Sequence, residues 1–180
     1  MSLKLFSTPY LLMLRCNNLP KTGLSATDPI ADAPATSLLW LMVKIVPYSD
    51  EHFDGVQKLW EEVFPSDPPW NRAAVAVPEK LAVQADLFLI AEDDGTVVGS
   101  AMVGYDGHRG WLYTIAVKPA YQRNGIGSLL VGEAERKLQA LGCGKVNLQI
   151  RAGNEAVSAF YRRHGYEVEE RVSMGKRLPG

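Results

Sequence analysis

The spacing of apolar side chains divides the chain into two parts. Residues 1–41 contain four prolines and show no sustained period of 2 or 3.6 residues. From Met42 onward, apolar residues either alternate with polar ones or recur every three to four positions, as in strands and amphipathic helices. We therefore expect an irregular N-terminal extension over 1–41, an artefact of the assigned gene start or of cloning, and one domain over 42–180.

The patterns after Met42 predict eleven elements. Helices are expected after a Ser49 cap, over 72–84, from Ile126 to a stop at Gly142, and from an Asn154 cap to a stop at Gly165. Strands are expected at 43–46, 87–91, 96–105, 111–117, 145–151, 166–172 and 173–178, with a type I′ turn at Asp106-Gly107. The order β-α-α-β-β-β-α-β-α-β-β predicts an α+β fold, a mostly antiparallel mixed sheet flanked by helices.

The composition is that of an ordinary globular protein, with 47% hydrophobic and 22% charged residues in a chain of 180. Its 19 basic and 20 acidic side chains give a net charge of −1, which excludes a generally basic, phosphate-coating protein and argues against nucleic-acid partners. No apolar run approaches 18 residues, so no membrane span is predicted. Cys16 and Cys143 lie outside any C-x-x-C or zinc-spaced pattern, which predicts two free thiols in a reducing cytoplasm and no metal site.

The segment 117–128 carries the candidate chemistry. A predicted strand runs into a loop with Gly125 and Gly127 and then into a helix, whose first N–H groups and dipole attract anions. Arg123 adds a formal positive charge. The segment therefore predicts a diphosphate site, and a glycine-containing helix start without a ligand is the alternative. A Walker A loop is absent, and a dinucleotide fingerprint would need a third glycine where Leu130 stands.

The same segment resembles a signature of the GCN5-related N-acetyltransferase (GNAT) family. The run Gln122-Arg123-Asn124-Gly125-Ile126-Gly127, after Val117-Lys118-Pro119, matches the family's acetyl-CoA pattern Q/R-x-x-G-x-G/A, and the element order is similar over about residues 42–178. The chain is also similar to ribosomal-protein-alanine N-acetyltransferases and, more specifically, to YpeA-type acetyltransferases. With the latter it shares Leu59-Trp60-Glu61, Trp70-Asn71, the hairpin 104–110 and the ending Gly175-Lys176-Arg177-Leu178.

The resemblance implies the GNAT acyl-CoA N-acyltransferase fold and direct transfer of an acetyl group from acetyl-CoA to a primary amine of a small molecule or protein. It also implies which residues bind this co-substrate. The strand residues Ile115, Ala116 and Val117 would pair with the pantetheine arm, and Asn154 would contact it. The pyrophosphate would be held by Gln122, Arg123, Asn124, Gly125, Ile126, Gly127 and Ser128.

Tyr161 matches the position of the family's general acid and would also contact the co-substrate. When an amine attacks a thioester, the departing thiolate needs a proton. A tyrosine with a reference pKa of about 10 is protonated at neutral pH and can donate that proton. A core tyrosine on an apolar helix stripe is the alternative for Tyr161, and a plain helix cap is the alternative for Asn154.

The resemblance leaves the general base unassigned. The alanine N-acetyltransferases have a glutamate where this chain has Gln149, an amide that is not a useful proton acceptor. A water chain ending at the backbone is one substitute, and the candidate side chains are Tyr113, Glu61, Glu62, His108 and Asp106.

The acceptor pocket is expected across from the thioester. Its expected lining residues are Trp70, Asn71, Tyr105, His108, Arg109 and Tyr113. His108 and Arg109 would suit an anionic acceptor, and a plain solvated hairpin is the alternative for these two residues.

Gln149 also keeps a second function open, that of a non-catalytic acyl-CoA-binding regulatory module. A nucleic-acid-binding domain is disfavoured, because the charge is near neutral and no Lys/Arg-rich aromatic face is evident. The predicted strands over 166–178 would lie at a sheet edge, where they would allow a homodimer.

Overall fold

The computed structural model describes residues 43–178, so the expected extension over 1–41 lies outside the described residues. Within that range the chain forms five strands and four α-helices, joined in places by single turns of 3₁₀ helix. In chain order these elements are β1 (Lys44–Pro47), α1 (Phe53–Val63), α2 (Ala73–Gln84), β2 (Phe88–Asp93), β3 (Thr96–Tyr105), β4 (Gly110–Val117), α3 (Ile126–Ala140), β5 (Val146–Leu148) and α4 (Glu155–Arg163).

The five strands form one sheet in the order β1-β2-β3-β4-β5. The first three pairings are antiparallel, and only β4 and β5 run parallel to each other. The predicted α+β class, with a mostly antiparallel mixed sheet flanked by helices, is therefore confirmed.

Each face of the sheet carries its own hydrophobic core. β2 supplies both cores, since Phe88 and Ile90 pack with α1 and α2 while Leu89 and Ala91 pack with α3. Consecutive side chains of a strand point to opposite faces, so a strand that is covered on both faces has a continuous apolar run.

The two hairpin turns adopt different conformations. Asp94 (φ 44°) and Gly95 (φ 75°) both have positive φ between β2 and β3, as a type I′ turn requires. Between β3 and β4 only Gly107 has positive φ (90°). The prediction of a type I′ turn with Asp106 and Gly107 at its centre is therefore wrong. The Asp106 N–H donates to the Arg109 carbonyl at 3.2 Å, which places Gly107 and His108 at the centre of that turn.

The last two predicted strands, 166–172 and 173–178, are not formed, and β5 is shorter than the predicted 145–151. Burial does not favour strand pairing after Tyr166, because the apolar side chains that follow it stay exposed, 74% at Val168 and 88% at Val172. Side-chain contacts alone hold it beside β5, where Lys145 pairs with Glu169 and Gln149 bonds Ser173 at 2.6 Å. The strand edge on which the homodimer expectation rested is thus absent from the described residues.

Candidate functional site

A β-bulge interrupts β4 in its middle. Ser100 pairs with Ala116 and Met102 with Tyr113, so two residues of β4 stand opposite one residue of β3. Thr114 lies in the bulge with φ 51°. Positive φ is unfavourable for a β-branched residue, and strain of about 1–3 kcal/mol of this kind is concentrated at functional sites in proteins.

Beyond the bulge, β4 and β5 separate. Their ladder covers only Gly110–Leu112 against Val146–Leu148. Within residues 43–178, no strand pairs with the β5 side of 113–117, which includes the predicted pantetheine-pairing residues Ile115, Ala116 and Val117. Backbone groups on such an edge are available to an extended ligand that adds to the sheet as a strand would.

The loop after β4 is fastened to the ends of the neighbouring strands. The Lys118 N–H donates to the Val98 carbonyl at 2.8 Å, and the Tyr121 hydroxyl donates to Asp93 at 3.1 Å. The Gln122 side-chain amide donates to the carbonyl of Val117 at 3.0 Å. Gln122, expected to contact the pyrophosphate, therefore also ties the loop to the last residue of β4.

The loop ends in a left-handed turn at the start of α3. Gly125 caps the helix with φ 82°, and Arg123 has φ 65°. A Cβ at Gly125 would meet no atom within 4 Å, so this side of the turn is open. The first N–H groups of α3, starting at Ile126, have no carbonyl of the preceding turn to donate to, and the helix dipole adds partial positive charge there. This turn can therefore hold an anion such as a diphosphate.

The next two residues contact α4. A Cβ at Gly127 would stand 3.3 Å from the ring of Phe160, so Gly127 allows close packing of α4 against α3. The Ser128 hydroxyl lies 3.0 Å from Nε2 of His164, at the C-terminal end of α4. No sequence motif pointed to a role for His164, although it lies on the same helical stripe as Phe160 and Tyr161.

α4 carries the other two residues expected to act at the co-substrate. Asn154 is the N-cap predicted from the sequence, and its side-chain oxygen accepts the Val157 N–H at 3.3 Å. Tyr161 is buried (8% exposed), with its ring edge-on to Phe160 and Tyr166 at centroid distances of 5.0 and 5.4 Å. Burial raises the pKa of Tyr161 to about 12, so its hydroxyl stays protonated at neutral pH.

A cavity of about 390 Å³ lies where β4 and β5 separate. Two residues predicted for the acceptor pocket, Tyr105 and Tyr113, line it together with Gln149. The rest of its lining consists of Gln84, Gly104, Asp106 and Trp111.

Contacts from β3 and α2 set the shape of this cavity. The Gln84 side chain both donates to the Tyr105 carbonyl at 2.7 Å and accepts the Tyr105 N–H at 3.1 Å. A Cβ at Gly104 would stand 3.2 Å from the ring of Tyr113, so glycine leaves room for that ring. The sequence indicated this glycine only as part of a hairpin.

The other predicted acceptor residues lie elsewhere. His108 is exposed in the β3–β4 turn, and Arg109 lies at the end of that turn; neither lines the cavity. Asn71 is exposed beside Trp70, which is 49% exposed. The Arg177 guanidinium covers the Trp70 ring at 3.6 Å from its centroid.

The side chains proposed as general base differ in their exposure and in their pKa. Glu61 and Glu62 are exposed at the end of α1. Hydrogen bonds from the Arg109 and His108 N–H groups and from the Trp111 indole lower the pKa of Asp106, which makes it a weak base. Burial raises the pKa of Tyr113, so this phenol is protonated at neutral pH.

Within 43–178, no group of three or more His, Cys, Asp or Glu side chains is placed to hold a metal ion. Over the same residues, no helix is long and apolar enough to cross a membrane.

Comparison with known proteins gives concordant matches. The model of the acetyltransferase (GNAT) family matches residues 53–166. An acetyltransferase of Yersinia pestis is 40% identical over 131 residues, which cover 73% of this chain and 92% of the relative.

Solved structures are similar at the level of the fold. The ribosomal-protein-S18-alanine N-acetyltransferase of Escherichia coli has a TM-score of 0.59 at 21% identity, with 69% of this chain and 77% of that chain covered. The PaiA N-acetyltransferase of Thermoplasma acidophilum, solved with coenzyme A, has a TM-score of 0.64 at 22% identity, with 72% and 92% covered.

Proposed function

This chain belongs to the acetyltransferase (GNAT) family of enzymes, and from that premise we propose that it transfers an acetyl group from acetyl-CoA directly to a primary amine. The observation that carries the proposal is the separation of β4 from β5, followed after the loop 118–125 by the anion-attracting start of α3. An open strand edge can pair with the amide-bearing arm of the donor, and the helix N-terminus that follows it along the chain can bind the donor's diphosphate.

The donor is held by two sets of residues. The backbone of Ile115, Ala116 and Val117 pairs with the pantetheine amides, and Asn154 contacts the same arm. The pyrophosphate is bound by the residues of 122–128, with Arg123 supplying the formal positive charge. The open space at Gly125 supports this assignment, because the backbone there is not covered by a side chain.

Transfer takes place in one direct step between donor and acceptor. The neutral amine attacks the thioester carbonyl, a C–N bond forms, and the C–S bond breaks to release the thiolate of CoA. Tyr161 donates a hydrogen bond, and then its proton, to the departing sulfur, and the proton that the attacking nitrogen loses passes through solvent and restores the phenol. Its pKa of about 12 keeps the phenol protonated throughout the neutral range, so a proton is present at this position when the sulfur departs. The acceptor is a small-molecule or protein amine.

The test is release of free CoA thiol when the purified protein is given acetyl-CoA and primary amines. Tyr161→Phe is expected to lower kcat by about a hundredfold, because general-acid catalysis typically contributes that much or more. The Kd for CoA, measured by calorimetry, is expected to stay within about twofold.

Tyr166→Phe is the matched control. Tyr166 packs against Tyr161 but donates its hydroxyl to Glu135 at 2.8 Å, away from the proposed chemistry. It is expected to keep the wild-type kcat. Equal kcat values for Tyr161→Phe and wild type would remove the general acid from the proposal, and the absence of thiol release with every amine would contradict the proposal itself.

A further inference from the structure

The cavity between β4 and β5 is lined by three aromatic rings and one carboxylate. Tyr105, Trp111 and Tyr113 surround it, and Asp106 stands at its hairpin end. Trp111 is 37% and Tyr113 is 42% exposed, so these rings present surface to solvent instead of packing in a core.

Asp106 is held in its ionised form. One carboxylate oxygen accepts the N–H groups of His108 and Arg109 at 2.8 and 2.6 Å, and the other accepts the Trp111 indole N–H at 3.2 Å. Among residues 43–178, no lysine, arginine or histidine forms an ion pair with this carboxylate. The hydrogen bonds orient Asp106 without neutralising it.

The neighbouring charges leave Asp106 as the charge that faces the cavity. Lys80 does not line the cavity: its ammonium lies over the Tyr113 ring at 5.9 Å from the centroid and is bonded to the Val103 carbonyl, and Asp86 interacts favourably with its charge. Arg109 lies near Glu169, whose pKa is lowered by Lys145 and then by Arg171 and Arg109.

From this lining we propose that the cavity binds a second cationic group of the acceptor, so that the preferred acceptors are diamines or amines that carry a guanidinium. Cations are attracted to the faces of tyrosine and tryptophan rings, and a nearby carboxylate strengthens the attraction. This inference rests on the proposed function, and within it we place the reacting amine near Tyr113, a predicted acceptor-pocket residue that lines the cavity. Trp111 lies two residues before Tyr113 in β4, about 7 Å away at the usual rise per residue. The two nitrogen groups of the acceptor are thus separated by about that distance.

Three acceptors of equal carbon-chain length test the proposal: 1,5-diaminopentane, pentylamine and 5-aminopentanoate. Each is an unbranched chain with a primary amine at one end, and the three differ in the charge at the other end. We expect kcat/KM for the diamine, halved for its two equivalent nitrogens, to exceed that for pentylamine by about tenfold. The carboxylate-bearing amine is expected to be the poorest of the three.

Asp106→Asn keeps an oxygen that accepts the turn N–H groups and removes the charge. It is expected to reduce the diamine preference to about twofold, mainly by lowering kcat/KM for the diamine. Asp94→Asn, the same substitution in the β2–β3 turn, is the control and is expected to keep the full preference.

The outcomes separate the two proposals. Equal kcat/KM values for the diamine and pentylamine would overturn the cation-binding site and leave the proposal of acetyl transfer intact. A diamine preference that is as large in Asp106→Asn as in the wild type would do the same. A preference for 5-aminopentanoate would overturn the cation-binding site in favour of an anionic acceptor. No thiol release with any amine, while CoA binds, would contradict the proposed function itself. Equal circular-dichroism spectra and unfolding midpoints would show that Asp106→Asn is folded.

Discussion

Lys80 shows how one residue connects the helical layer to the sheet. It lies on α2 with only 6% of its surface exposed, and its ammonium donates to the carbonyl of Val103 in β3. Its Nζ also lies 5.9 Å from the ring centroid of Tyr113. Burial lowers the pKa of Lys80 to about 8, although the carboxylate of Asp86 acts in the opposite direction. Because the pKa of this buried ammonium is lower in the folded protein than in the unfolded chain, the free energy of unfolding depends on pH.

The sign of that dependence follows from proton binding. Between pH 8 and 10.5 the unfolded chain keeps a proton on Lys80 that the folded protein has lost, so the free energy of unfolding rises with pH. From pH 7 to 9.5 this contribution amounts to about 2 kcal/mol. We expect Lys80→Met to lack that rise when urea unfolding is followed at both pH values.

Lys58→Met, at an exposed position of α1, is the control and is expected to keep the rise of the wild type. The quantity to compare is the change in unfolding free energy between the two pH values in each variant, which cancels the other titrating groups. A rise in Lys80→Met as large as in the wild type would mean that the Lys80 ammonium is well solvated in the folded state.

At the scale of the element, most helices and strands could be predicted because their apolar patterns are local. β3 has the predicted bounds, and α3 begins at the predicted residue because the glycine before it and the apolar stripe within it are adjacent in sequence. The bulge at Thr114 could not be predicted, since a threonine at positive φ is imposed by pairing with β3 and has no local signature.

The candidate site likewise has a part that is local in sequence and a part that only the fold brings together. The loop 122–128 is one continuous run, so its motif could be read from the sequence. The cavity is assembled from the end of α2, the β3–β4 hairpin and Gln149 after β5, which only the folded sheet brings together. The contact of His164 with Ser128 likewise joins two residues that are 36 positions apart in the sequence and belong to different helices.

The start of α3 offers a test in which two glycines of one element respond in opposite directions. Gly125→Ala forces an alanine to φ 82°, which is expected to lower the free energy of unfolding by about 1–2 kcal/mol. Gly132→Ala, where a Cβ would meet no atom within 4 Å, is expected to raise it by about 0.5–1 kcal/mol through helix propensity.

Urea unfolding measures both effects, and calorimetry with CoA separates them from binding. Gly132→Ala is expected to keep the wild-type Kd for CoA, while Gly125→Ala weakens binding because the turn that carries the first N–H groups is distorted. If Gly125→Ala bound CoA with the wild-type Kd, the left-handed turn would have no part in holding the diphosphate.

At the scale of the whole molecule, the sheet separates two structural tasks. α3 and α4 pack on one face and form the proposed donor site, and α1 and α2 pack on the other, where α2 also contributes to the acceptor cavity. β3 and β4 contribute side chains to both cores, and β4 carries both the strand edge of the proposed donor site and two residues that line the proposed acceptor cavity.

We also propose that residues 42–180 fold as the acetyltransferase domain without 1–41. The Yersinia pestis relative supports this, because a match of only 131 residues covers 92% of it. A chain that starts at Met42 is therefore expected to have the same urea unfolding midpoint and m-value as the full chain, and the same Kd for CoA. The m-value is informative because it scales with the surface exposed on unfolding, so an extension packed on the domain would increase it.

A chain that starts at Tyr48 is the matched control for this prediction. It lacks β1, whose four residues pair with β2 from Lys44 opposite Glu92 to Pro47 opposite Leu89. Removing these backbone pairs exposes the edge of β2, so a lower midpoint is expected for the Tyr48 chain only. If the Met42 chain lost as much stability as the Tyr48 chain, residues 1–41 would have to contribute to the folded domain.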